Sequence, residues 1–162
     1  MTQTVSLAVD VQVVCENPDI PPDSKIRFWV GCALDAAGTS LPGGAEVSVR
    51  IVDADEMRAL NHEYRKIDKA TNVLSFPAGE IAGLPGEAPR VLGDIVICAA
   101  VVSEEAAAQG KQVAHHWAHM LVHGMLHLLG YDHELDAEAV RMERLETRIL
   151  ASNDLADPYL TL

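Results

Sequence analysis

Five of the chain's seven histidines fall between positions 115 and 127, and a sixth stands at 133. At 100° per residue, His116, His119, His123 and His127 lie within about 80° of one another on a helix. The rest of that circumference is Ala114, Trp117, Ala118, Leu121, Val122, Met125, Leu128 and Leu129. A helix apolar on nearly all other sides is predicted to be buried. Imidazole nitrogens inside a core need partners, and a metal ion satisfies them well.

His123 and His127, at i and i+4, can reach one ion together. Gly130 supplies a left-handed turn after which the chain bends back, so that His133 can swing round as a third ligand. His119 and His123 form an equally good i, i+4 pair; the glycine turn and the distance to His133 favour 123, 127 and 133. The HxxxHxxGxxH spacing matches the metal frame of the metzincin peptidases. Three histidines leave a fourth position open, the mark of a catalytic zinc site, whereas a structural site is closed. The competing reading is a set of core histidines hydrogen-bonded to backbone. His119 stands as a candidate for supporting a ligand or touching substrate. His115 and His116 are assigned no role, and His62 reads as a surface residue.

In those peptidases a glutamate follows the first histidine and serves as general base; here the position is Gly124. Peptide hydrolysis needs that group to protonate the leaving amine. A phosphodiester asks mainly for charge stabilisation on its non-bridging oxygens, which a cation can supply. Arg65 in "NHEYRKIDKATNVLSFP" (61–77) is the candidate, followed by Lys66 and Lys69. Cations are also favoured at a solvated helix end, which is the plainer account of all three. Asp132 could orient His133 or a metal-bound water. Asp94 in "LGDIVI" could as well face solvent or cap a turn.

These residues must be positioned by the elements around them. Residues 5–14, 45–52, 71–77 and 91–99 read as strands. Helices are expected from an N-cap at Asp23 or Ser24 to about Ala37, and from Asp53 to about Tyr64, where Asp53 and Glu56 form a capping box. Further helices are expected from about Ser103 to Gly110, over 112–129, and over 136–150. "AGEIAGLPGEAPR" (78–90) is a Gly- and Pro-rich loop, and 151–162 a tail. The expectation is one α+β domain spanning 1–162, with about four strands in a mixed sheet packed around the buried histidine helix.

Composition agrees with a folded domain: 49% of residues are apolar and 4% aromatic. No apolar run reaches bilayer length. Cys15, Cys32 and Cys98 are odd in number and scattered, as expected of reduced thiols in a cytoplasmic protein. A net charge of −12 argues against binding nucleic acid by bulk attraction. Charge is uneven, however. Arg50, Arg58, Arg65, Lys66 and Lys69 cluster, whereas Asp132, Glu134, Asp136, Glu138, Glu143 and Glu146 load the segment after the histidines.

The blocks "HGMLHLLGYDH", "YRKIDKATNVLSFP" and "LGDIVIC" resemble the YbeY family of bacterial endoribonucleases and rRNA maturation factors, over most of residues 45–150. The resemblance implies a zinc-dependent, single-strand-specific endoribonuclease acting in 3′-end maturation of small-subunit (16S) rRNA and in ribosome quality control. It implies one Zn2+ per chain on His123, His127 and His133, with Arg65 as the functional arginine. The implied partners are single-stranded rRNA and the small ribosomal subunit, with its proteins or a ribosome-assembly GTPase; neither membrane nor DNA is expected. Docking on the ribosome would present RNA at high effective concentration to an acidic protein. The alternatives are a zinc peptidase or amidase drawing its base from Asp132 or Glu134, and a non-catalytic assembly factor with structural zinc.

Overall fold

The computed structural model of the chain describes residues 6–79, 88–132 and 135–159. Its elements run β1 (Leu7–Val13), α1 (Asp23–Ala37), β2 (Ala45–Val52), α2 (Ala54–Arg65), β3 (Val73–Pro77), β4 (Arg90–Cys98), α3 (Ala99–Gln109), α4 (Val113–Leu128) and α5 (Asp136–Ala151). The strands form one mixed sheet in the order β1-β2-β4-β3. β1, β2 and β4 are parallel, and β3 is antiparallel to β4 at the edge. This is the expected α+β architecture with four strands.

Period-two alternation sends successive side chains to opposite faces of the sheet. Val47, Val49, Ile51, Ile95 and Ile97 join the larger core with α1, α4 and α5. Val52, Leu74, Val96 and Cys98 join a smaller one under Met57 of α2. Helix α4 sits inside the larger core, packed against α1, α3, α5, β3 and β4. Its apolar circumference dictates that place: Trp117, Leu121, Val122, Met125 and Leu126 are all buried.

Local chemistry differs from the expectation in three places. Pro22, rather than Asp23 or Ser24, is the N-cap of α1; Asp23 instead sits in the first turn, where a carboxylate favours the helix dipole. In α2 the Asp53 side chain does accept from the Glu56 N–H at 2.9 Å. The reciprocal half of the capping box is absent, because the Glu56 carboxylate takes Arg50 at 2.7 and 3.2 Å. Helix α3 begins at Ala99, before the expected Ser103, because β4 runs straight into it with Cys98 as N-cap. No turn residue marks that junction in the sequence.

Gly93 of "LGDIVI" has φ 136°. A Cβ there would collide with the Phe76 carbonyl of β3, so the glycine lets the edge strand lie close. Asp94 is exposed and lines a hollow with Asp10 and Glu46; none of the described histidines lines it.

Candidate active site

Three elements meet at one cleft of about 490 Å³, lined among others by Arg65, Asn72, Ser75, His123, His127 and Asp132. Each is brought there by an identifiable local cause.

The histidines come from α4, with His123 and His127 half-buried at the cleft wall. Their Nε2 atoms lie 3.1 Å apart. Helix α4 ends as anticipated: the Gly130 N–H donates to the His127 carbonyl and the Tyr131 N–H to Leu126, with Gly130 at φ 98°. That turn feeds Tyr131 and Asp132 back into the cleft. His133, the third expected ligand, lies outside the described residues.

Gly124 faces the sheet. A Cβ there would come within 2.8 Å of Ile95 Cγ2 and 3.2 Å of Val73 Cγ2. Both neighbours are β-branched methyls that cannot swing away. The Gly124 carbonyl accepts a hydrogen bond from Ser75 Oγ at 2.9 Å. The position that holds the peptidase glutamate is therefore where α4 and the sheet touch, and no side chain fits there.

Arg65 is the last residue of α2, and Lys66 leaves the helix in the left-handed conformation at φ 61°. Buried Asn61 pins the following turn, donating to the Lys69 carbonyl at 2.7 Å. Arg58 reaches across to Asp68 at 2.7 and 3.0 Å. The hook leaves Arg65 exposed on the cleft wall. Lys66 and Lys69 are not among the cleft-lining residues; Lys66 Nζ folds back onto the Glu63 carbonyl at 3.0 Å.

Behind the histidines lies a carboxylate that sequence reasoning missed. Glu146 of α5 is fully buried. Its Oε1 accepts from His123 Nδ1 at 2.7 Å and its Oε2 from His119 Nε2 at 2.6 Å; the Tyr159 hydroxyl donates to Oε2 as well. Burial alone would push this carboxyl up, but the two histidine hydrogen bonds outweigh it and hold it down at about 2. Burial and the adjacent Glu146 charge raise the Tyr159 phenol well above its ordinary value. The ligand atoms of His119, His123 and Glu146 all lie within 4.8 Å of one another, so this group could hold a metal ion. A signal was present in "MERLETRIL": Met142, Leu145, Ile149 and Leu150 make the core face of α5, and Glu146 sits on it. A carboxylate on an apolar stripe needs a buried partner.

A second network supports the other wall. Glu105 of α3 accepts from Asn72 Nδ2 at 3.0 Å and pairs with His116 Nε2 at 3.0 Å. Asn72 Oδ1 in turn holds the Val73 N–H at 2.7 Å, fixing the start of β3 at the cleft. Burial lowers the His116 pKa despite the Glu105 carboxylate.

A family profile described as Endoribonuclease YbeY matches residues 12–154. The chain belongs to the YbeY family. Among the YbeY relatives, the chain is 57% identical to the Endoribonuclease YbeY of Halorhodospira halophila over 86% of this chain and 88% of that one. It is 48% identical to the protein of the same name from Psychromonas ingrahamii, over 97% and 98%. For that of Alkalilimnicola ehrlichii the figures are 54% over 95% and 92%. The fold is also similar to the solution structure of TM1509 from Thermotoga maritima, with a TM-score of 0.52 and 25% identity over 93% of this chain and 99% of that one. Among the described residues no helix is long and apolar enough to cross a membrane.

Proposed function

We propose that this chain is a zinc-dependent, single-strand-specific endoribonuclease that acts in the cytoplasm on the 3′ end of small-subunit rRNA, docked on the small ribosomal subunit. The observation that carries the chemistry is the meeting of two imidazole Nε2 atoms, 3.1 Å apart, with Arg65 in one cleft. Membership of the YbeY family supports RNA as substrate; the rRNA site, the subunit and its proteins or GTPase as partners, and the compartment are our extension.

The residues fit a zinc ion. Glu146, ionised and buried, takes the proton-bearing Nδ1 of His123, which leaves the Nε2 lone pair directed at His127. Two ligands sharing one ion at about 2.0–2.1 Å stand roughly 3 Å apart, close to the observed Nε2 separation. Glu146 meets His119 and His123 at hydrogen-bond lengths, 2.6 and 2.7 Å, as a carboxylate that supports ligands does, while the group His119, His123 and Glu146 is the alternative holder of an ion. We therefore assign His123, His127 and His133 as ligands and Glu146 as their support. Zinc held there supplies Lewis acidity and acidifies a water at neutral pH.

The chain's own groups do the rest. Arg65, exposed on the cleft wall, would take the non-bridging phosphate oxygens bidentately and stabilise charge as it develops. Glu146, through His123, fixes ring orientation while staying out of the cleft. Asp132, on the cleft lining, would accept a hydrogen bond from the attacking hydroxyl or water. Gly124, pressed against the sheet, rules out the peptidase base at its usual position, which argues for a phosphodiester over an amide.

The test is cleavage of matched single- and double-stranded RNA by metal-analysed protein, with and without chelator, beside His127→Ala. Loss of single-strand cleavage in both the chelated protein and the variant supports the proposal. Cleavage that survives both overturns it. A 2′,3′-cyclic phosphate end would identify the ribose hydroxyl as nucleophile; a 5′-phosphate paired with a 3′-hydroxyl end would identify water.

A further inference from the structure

The cleft accounts for the scissile phosphate and leaves open where the rest of an RNA strand would run on a protein of net charge −12. Helix α5 carries Arg141, Arg144 and Arg148, spaced i, i+3 and i+7 and so on one face. All three are exposed, on a face that borders the core side chains Met142, Leu145 and Ile149. Together with Tyr131 and Val140 they line a groove of about 520 Å³.

The groove adjoins the cleft. Tyr131 lines both, and a hollow lined by Gly130, Asp132, Glu138 and Arg141 shares lining residues with each. The segment that reads as acidic in the sequence is thus sorted in space. Glu146 turns inward to the histidines, while the arginines line the open groove.

Other arginines are already engaged. Arg50 pairs with Glu56, Arg58 with Asp68, and Arg27 donates to the Val9 carbonyl. Among the described residues none of Arg141, Arg144 and Arg148 makes an ion pair. Three guanidinium groups along about 10 Å of helix make a strip fitted to successive phosphates. Tyr131, at the junction, offers an aromatic ring on which a base can stack.

We propose that this groove binds the phosphate backbone of single-stranded RNA flanking the scissile bond. The proposal rests on the endoribonuclease reading. Asp132 and Glu138 in the connecting hollow repel phosphate, so the strand crosses there with its sugars or bases turned inward. Carboxylates meet 2′-hydroxyl donors well.

The test compares the parent with the triple variant Arg141→Gln, Arg144→Gln, Arg148→Gln. Anisotropy in chelator measures binding of a long single-stranded oligoribonucleotide and of a short one that fills only the cleft. Each lost phosphate contact should flatten the dependence of log affinity on log salt by about 0.7, so the triple variant should lose about 2 from the slope. Long-strand affinity should fall at least tenfold, with the short strand unchanged and a triple Arg→Lys variant restoring the slope. In cleavage, KM for the long substrate should rise at constant kcat. Unchanged slope and affinity would overturn the proposal, as would an equal loss on the short strand or an affinity of the groove for acidic peptide alone. A parent that neither binds nor cleaves RNA would sink the endoribonuclease reading itself; a parent that cleaves while the triple variant matches it sinks only the groove.

Discussion

His123 Nδ1 lies 2.7 Å from Oε1 of Glu146, twenty-three positions later in the chain. The half-buried ring on α4 is oriented by a carboxylate on α5 that has no contact with water. Two other donors, His119 and Tyr159, converge on the same carboxylate. A buried charge with three donors is compensated, and removing its acceptor capacity would leave those donors orphaned.

Glu146→Gln should therefore weaken metal binding by about 10- to 100-fold, the usual cost of losing the group that orients a histidine ligand. Competition with a chromogenic chelator measures it. Glu146→Ala should lose stability as well, through an emptied buried site. Unaltered metal affinity in the glutamine variant would remove Glu146 from the support of the site.

Gly124→Ala sets helix propensity against packing. Alanine is worth about 1 kcal/mol more than glycine in a helix interior. The added Cβ meets Ile95 Cγ2 at 2.8 Å, and overpacking a core costs about 1–3 kcal/mol. We expect net destabilisation, read as a lower urea midpoint at unchanged m-value. Gly124→Glu should unfold the site and confer no peptidase activity; a stable, peptide-cleaving variant would contradict the packing account.

Arg65→Ala should reduce RNA cleavage by about 100-fold or more, the scale of a lost charge-stabilising donor. Bound metal, measured on the purified protein, should be unchanged. Arg65→Lys should rescue little, because a point charge lacks the planar fork. Full activity in the alanine variant would place the stabilising charge elsewhere.

His116 sets a pH dependence of stability. Burial puts its folded pKa below the ordinary 6.5, outweighing Glu105. The unfolded chain then takes up more protons as pH falls, so this contribution is intact above 6.5 and is lost as pH drops from there toward the folded value. His116→Gln should show a smaller fall in unfolding free energy between pH 7 and pH 5 than the parent. Parallel pH profiles would assign the sensitivity to other groups.

Local signals in the chain were enough for much of this. The strictly alternating "AEVSVRIV" became β2, and the apolar girdle of α4 put that helix inside the core. The i, i+4 spacing set His123 and His127 side by side, and Gly130 turned the chain as its conformational freedom allows. These features depend on 2.0 and 3.6 residue periods, which any reader of the sequence can count. The start of α3 was not legible, because a strand that passes directly into a helix leaves no turn residue behind.

The sequence by itself determined the candidates for the chemistry: a histidine stripe, a glycine where a base is expected, an arginine at a helix end. Only the tertiary structure decided what stands behind and beside them. Glu146 turns toward the histidines because α5 packs on α4, Gly124 is a contact with Ile95, and Arg65 shares a cleft with rings about sixty positions away. Periodicity reports which way a side chain faces on its own element. What it meets there is set by how elements pack, through contacts between residues distant in the chain.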